Sequence, residues 1–257
     1  MHQTLPDIEI LIKLVKQTKQ FVENREMADC VKVKGLADYV TQVDVGIQNF
    51  LKEKLSKLAP EIQFLGEEEG LHEMSCSTFW ILDPIDGTTN LIHGYLHSVV
   101  SLGLCHEGEM VLGIIYDPFR EEVFYAEKGK GSYLNGKPIH VSDAESLCQT
   151  MIGAGTAPYN RELATENFAR IQRVYEASQD IRRTGSAAMD FAYTACGRQG
   201  GYFEVVLQPW DFAAGMIIIE EAGGMITDFE GKPLNPQKAG CVAASNGKVH
   251  QELLELM

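Results

Sequence analysis

The chain has 257 residues, 45% hydrophobic and 23% charged, a profile that excludes a disordered polypeptide and suffices for one large core or two fused lobes. Its 22 basic and 36 acidic residues leave a formal charge of −14, which argues against nucleic acid or an anionic membrane as an electrostatic partner. Six scattered cysteines (30, 76, 105, 148, 196, 241) with no CxxC pair, no signal-peptide pattern and no apolar run near the roughly 18 residues of a membrane span predict reduced thiols in a cytoplasmic, non-membrane protein.

Thr4, Pro6 and Asp7 resemble a helix entry, after which Ile8, Leu11, Ile12 and Val15 repeat at helical spacing. A polar linker follows. Thr41 and Asp44 then precede Ile47, Leu51, Leu55 and Leu58, a second amphipathic helix, and taken alone Asp44 reads as its cap. Residues 62–69 form a short strand ending in Gly66 and three acids, Glu67, Glu68 and Glu69. Most acidic triplets are solvated loops, yet this one leaves a strand a dozen residues before a second strand that ends in another acid.

That second strand is Trp80 to Leu82, with Pro84 biasing Asp83 toward extended backbone. Gly87 suits a tight turn, and Thr88, Thr89 or Asn90 can cap the helix that follows, whose free N–H groups favour an oxyanion. Asp83 and Asp86 repel each other on that turn unless a cation separates them, and hard oxygen ligands of this kind, with the Ile85 carbonyl, suit Mg²⁺. The competing reading is an ordinary Asp-Pro turn with an Asx or Thr cap. His93 and His97 stand four apart without an HExxH pattern and read as surface or core histidines.

From Val99 to Ile139, β runs are punctuated by turn signals at Glu107-Gly108, Asp117-Pro118, Lys128 to Gly131 and Asn135-Gly136, an antiparallel meander. Thr150 to Thr156 reads as a strand, and Leu163, Phe168, Ile171 and Val174 mark a helix over about Glu162 to Ala177. Gly185 and Ser186 open a small-residue helix, and GYFEVVL, carrying Glu204, is a strand. Pro209 and Asp211 stand at the mouth of another small-residue helix that ends at Gly223-Gly224, where Asp211 serves equally as a cap or a metal ligand. A strand at Gly240 to Ser245 and a short amphipathic helix close the chain. With no repeat or long linker, residues 1–257 are expected to form a single domain, an N-terminal α+β lobe over about 1–145 and a C-terminal α/β lobe over about 146–257.

GEEEG at 66–70, DPIDGTTN at 83–90 and PWDFAAG with EEAGG at 209–224 together resemble the inositol monophosphatase family over essentially the whole chain. The resemblance implies an α/β (α+β) fold, a layered α-β-α-β-α sandwich of the inositol monophosphatase and fructose-1,6-bisphosphatase type. It further implies a homodimeric, lithium-inhibited phosphatase using two or three Mg²⁺ per subunit. By motif, Glu67, Asp83 and the Ile85 carbonyl would hold one ion and Asp83, Asp86 and Asp211 another, with Glu68 near an additional one. Thr88, hydrogen-bonded to Asp44, would orient the attacking water with help from Glu67. The Gly87 and Thr88 amides would bind phosphate, and Asp86, Gly185, Ala187 and Glu204 would contact a polyol. Thr89-Asn90 matches inositol monophosphatases, whereas 3′-phosphoadenosine 5′-phosphate phosphatases carry Lys-Glu there. Inositol 1-phosphate is the expected substrate, with fructose 1,6-bisphosphate and histidinol phosphate as alternatives. Some bacterial relatives also bind the transcription machinery, and a passive sugar-phosphate binding module is a third possibility.

Overall fold

The computed structural model describes residues 6–72, 74 and 76–257. Three short helices open it: α1 (Ile8–Lys16), α2 (Lys19–Val22) and α3 (Arg25–Ala28). A hairpin of β1 (Val31–Gly35) and β2 (Asp38–Thr41) leads into the long helix α4 (Gln42–Leu58). Next come β3 (Gln63–Gly66), a single 3₁₀ turn (Glu67–Glu69), β4 (Thr78–Asp86) and α5 (Thr88–Ile92). The predicted meander is present as β5 (Val99–His106), β6 (Glu109–Asp117), β7 (Glu122–Glu127), β8 (Ser132–Leu134) and β9 (Lys137–Pro138).

Strands β3 to β9 form one sheet in sequence order, parallel only between β3 and β4. The C-terminal part alternates: β10 (Met151–Ala154), α6 (Ala164–Ala177), β11 (Asp180–Arg182), α7 (Ala187–Ala195), β12 (Gly201–Leu207), α8 (Pro209–Glu221), β13 (Met225–Thr227), β14 (Gly240–Ser245) and α9 (His250–Leu254). Its five strands run β11-β10-β12-β14-β13, mixed parallel and antiparallel.

Alternation along β4 decides the layering. Trp80 and Leu82 pack with Leu11, Val15, Ile47 and Leu51 of α1 and α4, whereas Phe79 and Ile81 face α7 and α8. Tyr202, Val242 and Ala244 cover the other side of those two helices, and Phe203 and Ala243 turn outward to Val174 of α6 and Leu253 of α9. The order is helix, sheet, helix, sheet, helix, the layered α+β sandwich expected. Small residues make the central layer thin. A Cβ on Gly113 of β6 would come 2.5 Å from the Ala214 carbonyl, and one on Gly215 of α8 would come 2.8 Å from the Phe191 side chain. The Ala-Ala-Gly run of α8 therefore exists to bring this helix, and Asp211 in its first turn, against the sheet.

Several details differ from expectation. Thr4 lies outside the described residues, and Asp7 caps α1 through the Glu9 N–H at 2.8 Å. The polar linker after α3 is the β1–β2 hairpin. Phe168, counted on the buried face of α6, is 57% exposed, and Asn167 is buried instead, because its side-chain amide donates to the Gly155 carbonyl at 3.0 Å. No helix among the described residues is long and apolar enough to cross a membrane, and the six cysteines are unpaired.

Candidate active site

The two large sheets and the β1–β2 hairpin, which supplies Asp38, bring acidic side chains from five segments to one cleft of about 470 Å³. Its wall includes Glu67 from the turn after β3, Asp86 from the end of β4, Gly185 and Ala187 at the start of α7, Glu204 of β12 and Asp211 of α8. Asp83 is buried (2% exposed) and stands with Gly87 and Thr88 beside that wall rather than in it.

Local geometry fixes each group. Gln48 of α4 accepts from the Glu68 N–H at 3.0 Å, and a Cβ on Gly66 would come 2.5 Å from the same Gln48 oxygen, so a side chain there would displace Gln48 from the acidic turn. Along β4 the register with β5 shifts between Asp83 (opposite Ser101) and Asp86 (opposite Val99). The extra residue resets the side-chain alternation, so two carboxylates an odd number of residues apart act on each other electrostatically.

The three aspartates share one arrangement, in which one oxygen is held by hydrogen-bond donors. Asp83 Oδ1 accepts from the Ile85 N–H at 2.9 Å. Asp86 Oδ2 accepts from Ser186 Oγ at 2.7 Å and the Ala188 N–H at 2.6 Å. Asp211 Oδ2 accepts from the Gln208 N–H at 2.7 Å. Each carboxylate is thereby oriented by a backbone N–H on one oxygen, and Asp83 in addition shares a side-chain hydrogen bond with Glu67. Asp44 is different: Oδ2 takes both the Thr41 N–H and its hydroxyl, and Oδ1 takes the Thr88 hydroxyl at 2.9 Å. The cap of α4 is therefore Thr41, with Asp44 at the third position of the capping box, and its other oxygen ties α4 to Thr88.

The turn after Asp86 is capped by Gly87 in the left-handed region (φ 93°), not by Thr88, Thr89 or Asn90. Thr88 is instead the first residue of α5, its hydroxyl occupied by Asp44 and the Ile85 carbonyl at 3.0 Å. Glu204 reaches the cleft wall, but its Oε1 accepts from the Ala157 N–H at 2.7 Å and its Oε2 from the Tyr202 hydroxyl, ties that organise the 155–160 loop. His97 is buried against Tyr95 and Tyr193, a core histidine as expected.

Burial is the largest cause of every carboxyl shift here. It pushes Glu67 up to about 7, opposed by Lys34, and Asp86 up to about 6, opposed by its Ser186 and Ala188 hydrogen bonds. Asp83 and Asp211 are driven well above the ordinary carboxylate range, first by burial and then by each other's neighbours Glu67 and Asp86. Two cations line the cleft: Lys34 of β1, whose Nζ lies 2.7 Å from Glu68 and 3.5 Å from Glu67, and Arg183, which acts on Glu204. Two cations against this many carboxyl groups leave the cluster deficient in positive charge, and an oxygen-only donor set suits a hard divalent cation. Among the described residues no three acidic, histidine or cysteine side chains are already drawn into a closed cage.

Reading the sequence missed Lys34, the Ser186 and Ala188 donors, and Tyr159, which lines the cleft while 64% exposed. The Val-Lys-Val-Lys alternation before Gly35 was the available signal for Lys34; the others depend on tertiary approach.

The chain matches the model of the inositol monophosphatase family over residues 5–257. It is 39% identical over 230 residues to an inositol-1-monophosphatase of Rhizobium meliloti, covering 88% of this chain and 85% of the relative. It is also 35% identical over 256 residues to the Nus factor SuhB of Escherichia coli K12, covering 98% and 96%. Among solved structures, the Bartonella henselae extragenic suppressor protein suhB superposes with a TM-score of 0.89 at 32% identity, covering 97% of each chain. A Thermotoga maritima IMPase gives 0.87 at 34% identity, covering 97% and 95%. Motifs, layered fold and relatives agree that the chain belongs to the inositol monophosphatase family.

Proposed function

We propose that the protein is a Mg²⁺-dependent phosphomonoesterase that hydrolyses inositol 1-phosphate to myo-inositol and phosphate. The observation that carries this reading is the shared arrangement of Asp83, Asp86 and Asp211, each oriented by a backbone N–H, beside a threonine tied to a buried aspartate. Glu67, Asp83 and the Ile85 carbonyl would hold one ion, Asp83, Asp86 and Asp211 the second, and Glu68 would stand near a third. When bound, Mg²⁺ supplies charge neutralisation to the phosphoryl group and to the attacking and departing oxygens.

The chain's own residues do the rest. Asp44 directs the single Thr88 hydroxyl proton, which leaves the Thr88 oxygen lone pairs to accept from a water and aim it at phosphorus. Glu67, as a ligand of the first ion, would help hold the same water beside Thr88. The Gly87 and Thr88 amides at the start of α5 bind phosphate oxygens, and Gly185, Ala187, Asp86 and Glu204 line the face that receives the polyol. A lithium-sensitive homodimer in the cytoplasm completes the proposal, supported by the family and by six free cysteines.

Relatives named Nus factor SuhB match nearly the full length, which favours a second, added role as a protein-binding partner. The intact acidic cluster argues against that being the sole function. Phosphate release from inositol 1-phosphate, fructose 1,6-bisphosphate, histidinol phosphate and 3′-phosphoadenosine 5′-phosphate, with Mg²⁺, EDTA, or Mg²⁺ plus lithium, tests the proposal. Dominance of inositol 1-phosphate supports it; dominance of another ester moves only the specificity; absence of release from all four overturns it in favour of binding.

A further inference from the structure

A buried carboxylate outside the chemistry above, Asp190 of α7, is 1% exposed yet fully engaged. Thr184 Oγ1 lies 2.5 Å from its Oδ2, and Gln199 Nε2 donates to its backbone carbonyl at 2.8 Å and reaches its Oδ1 at 3.3 Å. The neighbouring sheet makes room for this pair: a Cβ on Gly153 of β10 would come 2.9 Å from Gln199 Nε2 and 3.1 Å from Asp190 Oδ1.

What the pair holds is the turn Thr184-Gly185-Ser186. Asn90 of α5 secures its other side, donating to the Thr184 carbonyl at 3.0 Å and to the His97 carbonyl at 2.7 Å. Gly185 between them has φ 90°, and a Cβ there would meet Asn90 and Arg183 at 3.0 Å. The turn then delivers Ser186, which caps α7 and also donates to Asp86, followed by the Ala188 N–H that donates to the same Asp86 oxygen. Asp86 is thus the anion at the N-terminus of α7, and the position of that terminus depends on Thr184.

We propose that Asp190 is a positioning residue that, through the Thr184 hydroxyl, sets the turn whose Ser186 and Ala188 donors orient Asp86 toward a divalent cation. This rests on the reading of Asp86 as a metal ligand. A hydroxyl donates or accepts with equal ease, so the contact survives whether Asp190 is ionised or neutral, and an amide at this position preserves it. Replacing Thr184 with valine removes the hydroxyl at constant shape.

Calorimetric titration of Mg²⁺ into the metal-free full-length protein tests this, alongside metal-free melting. Thr184→Val is expected to weaken Mg²⁺ binding about 10- to 100-fold, the range typical of residues that orient ligands. Thr184→Ser, which keeps the contact, is expected to bind nearly as wild type, Asp190→Ala, which removes it from the other side, to weaken binding as Thr184→Val does, and Asp86→Ala to lose a site. Wild-type affinity in Thr184→Val, with only its melting temperature lowered, overturns the inference while Asp86→Ala still loses its site. Wild-type binding in Asp86→Ala as well overturns the ligand assignment beneath the proposed function. Should Thr184→Val fail to fold, the folded Asp190→Ala decides: weakened Mg²⁺ binding supports the relay, and wild-type affinity overturns it.

Discussion

Thr88 Oγ1 lies 2.9 Å from Asp44 Oδ1, a contact between residues 44 positions apart that joins the first turn of α5 to the first turn of α4. Asp44 is completely buried and its second oxygen is saturated by Thr41, so this carboxylate has no capacity left for a metal. Its chemical effect passes through Thr88.

Thr88→Val and Asp44→Asn are therefore expected to lower kcat by about 10²- to 10⁴-fold, the usual range for a lost proton-transfer group, with little change in the Mg²⁺ concentration needed for half-maximal rate. Steady-state kinetics across a Mg²⁺ series separates the two. A collapse of Mg²⁺ affinity in Thr88→Val would assign this residue to the metal instead.

Asp83 is the most crowded of the acids, raised by burial and by Glu67, Asp86 and Asp211 in turn. Asp83→Asn is expected to raise the melting temperature of the metal-free protein by removing a buried like charge. It should also abolish the stabilisation by Mg²⁺ and reduce turnover more than about 100-fold, beyond what loss of an orienting partner costs. Scanning fluorimetry with and without Mg²⁺ gives both numbers.

The pH dependence follows from signs. Glu67 at about 7 and Asp86 at about 6 are raised above their ordinary values of 4.5 and 3.8, mainly by burial. A raised carboxyl contributes stability that is complete below its unfolded pKa and lost as pH rises through the folded one. The metal-free protein should therefore lose stability between about pH 4 and pH 7. Mg²⁺, which binds the ionised forms, should raise the melting temperature more at pH 8 than at pH 5. Equal shifts at the two pH values would contradict the placement of these acids around the cation.

Gly155 shows how little space there is around Glu204. A Cβ there would fall 2.0 Å from Glu204 Cδ, so Gly155→Ala must displace the side chain that holds the Ala157 N–H. Overpacking of this kind costs about 1–3 kcal/mol, readable by urea denaturation, and KM should rise as the 155–160 loop shifts.

Legibility in the sequence followed the strength of the local pattern. The apolar run Trp80 to Leu82 and the helical spacing of Ile47, Leu51, Leu55 and Leu58 marked a buried strand and a core-facing helix, and all are buried except Leu58, which is 37% exposed in the last turn. The β1–β2 hairpin was illegible because β1 buries none of its residues and so carries no core pattern, although it brings Lys34 to the acids. Phe168 misled because the inward position of α6 serves a hydrogen bond to Gly155 rather than an apolar contact. The acids themselves stood out in short motifs, whereas the donors that orient Asp86 lie 100 and 102 residues away and become neighbours only when α7 docks on the end of β4.

The most direct measurement is phosphate release from inositol 1-phosphate by the wild type and by Asp83→Asn, each with Mg²⁺ and with EDTA. Release confined to the wild type with Mg²⁺ is the expected result. Undiminished release in EDTA, or near-normal turnover by a folded Asp83→Asn, would contradict the assignment of the acidic cluster to a catalytic metal.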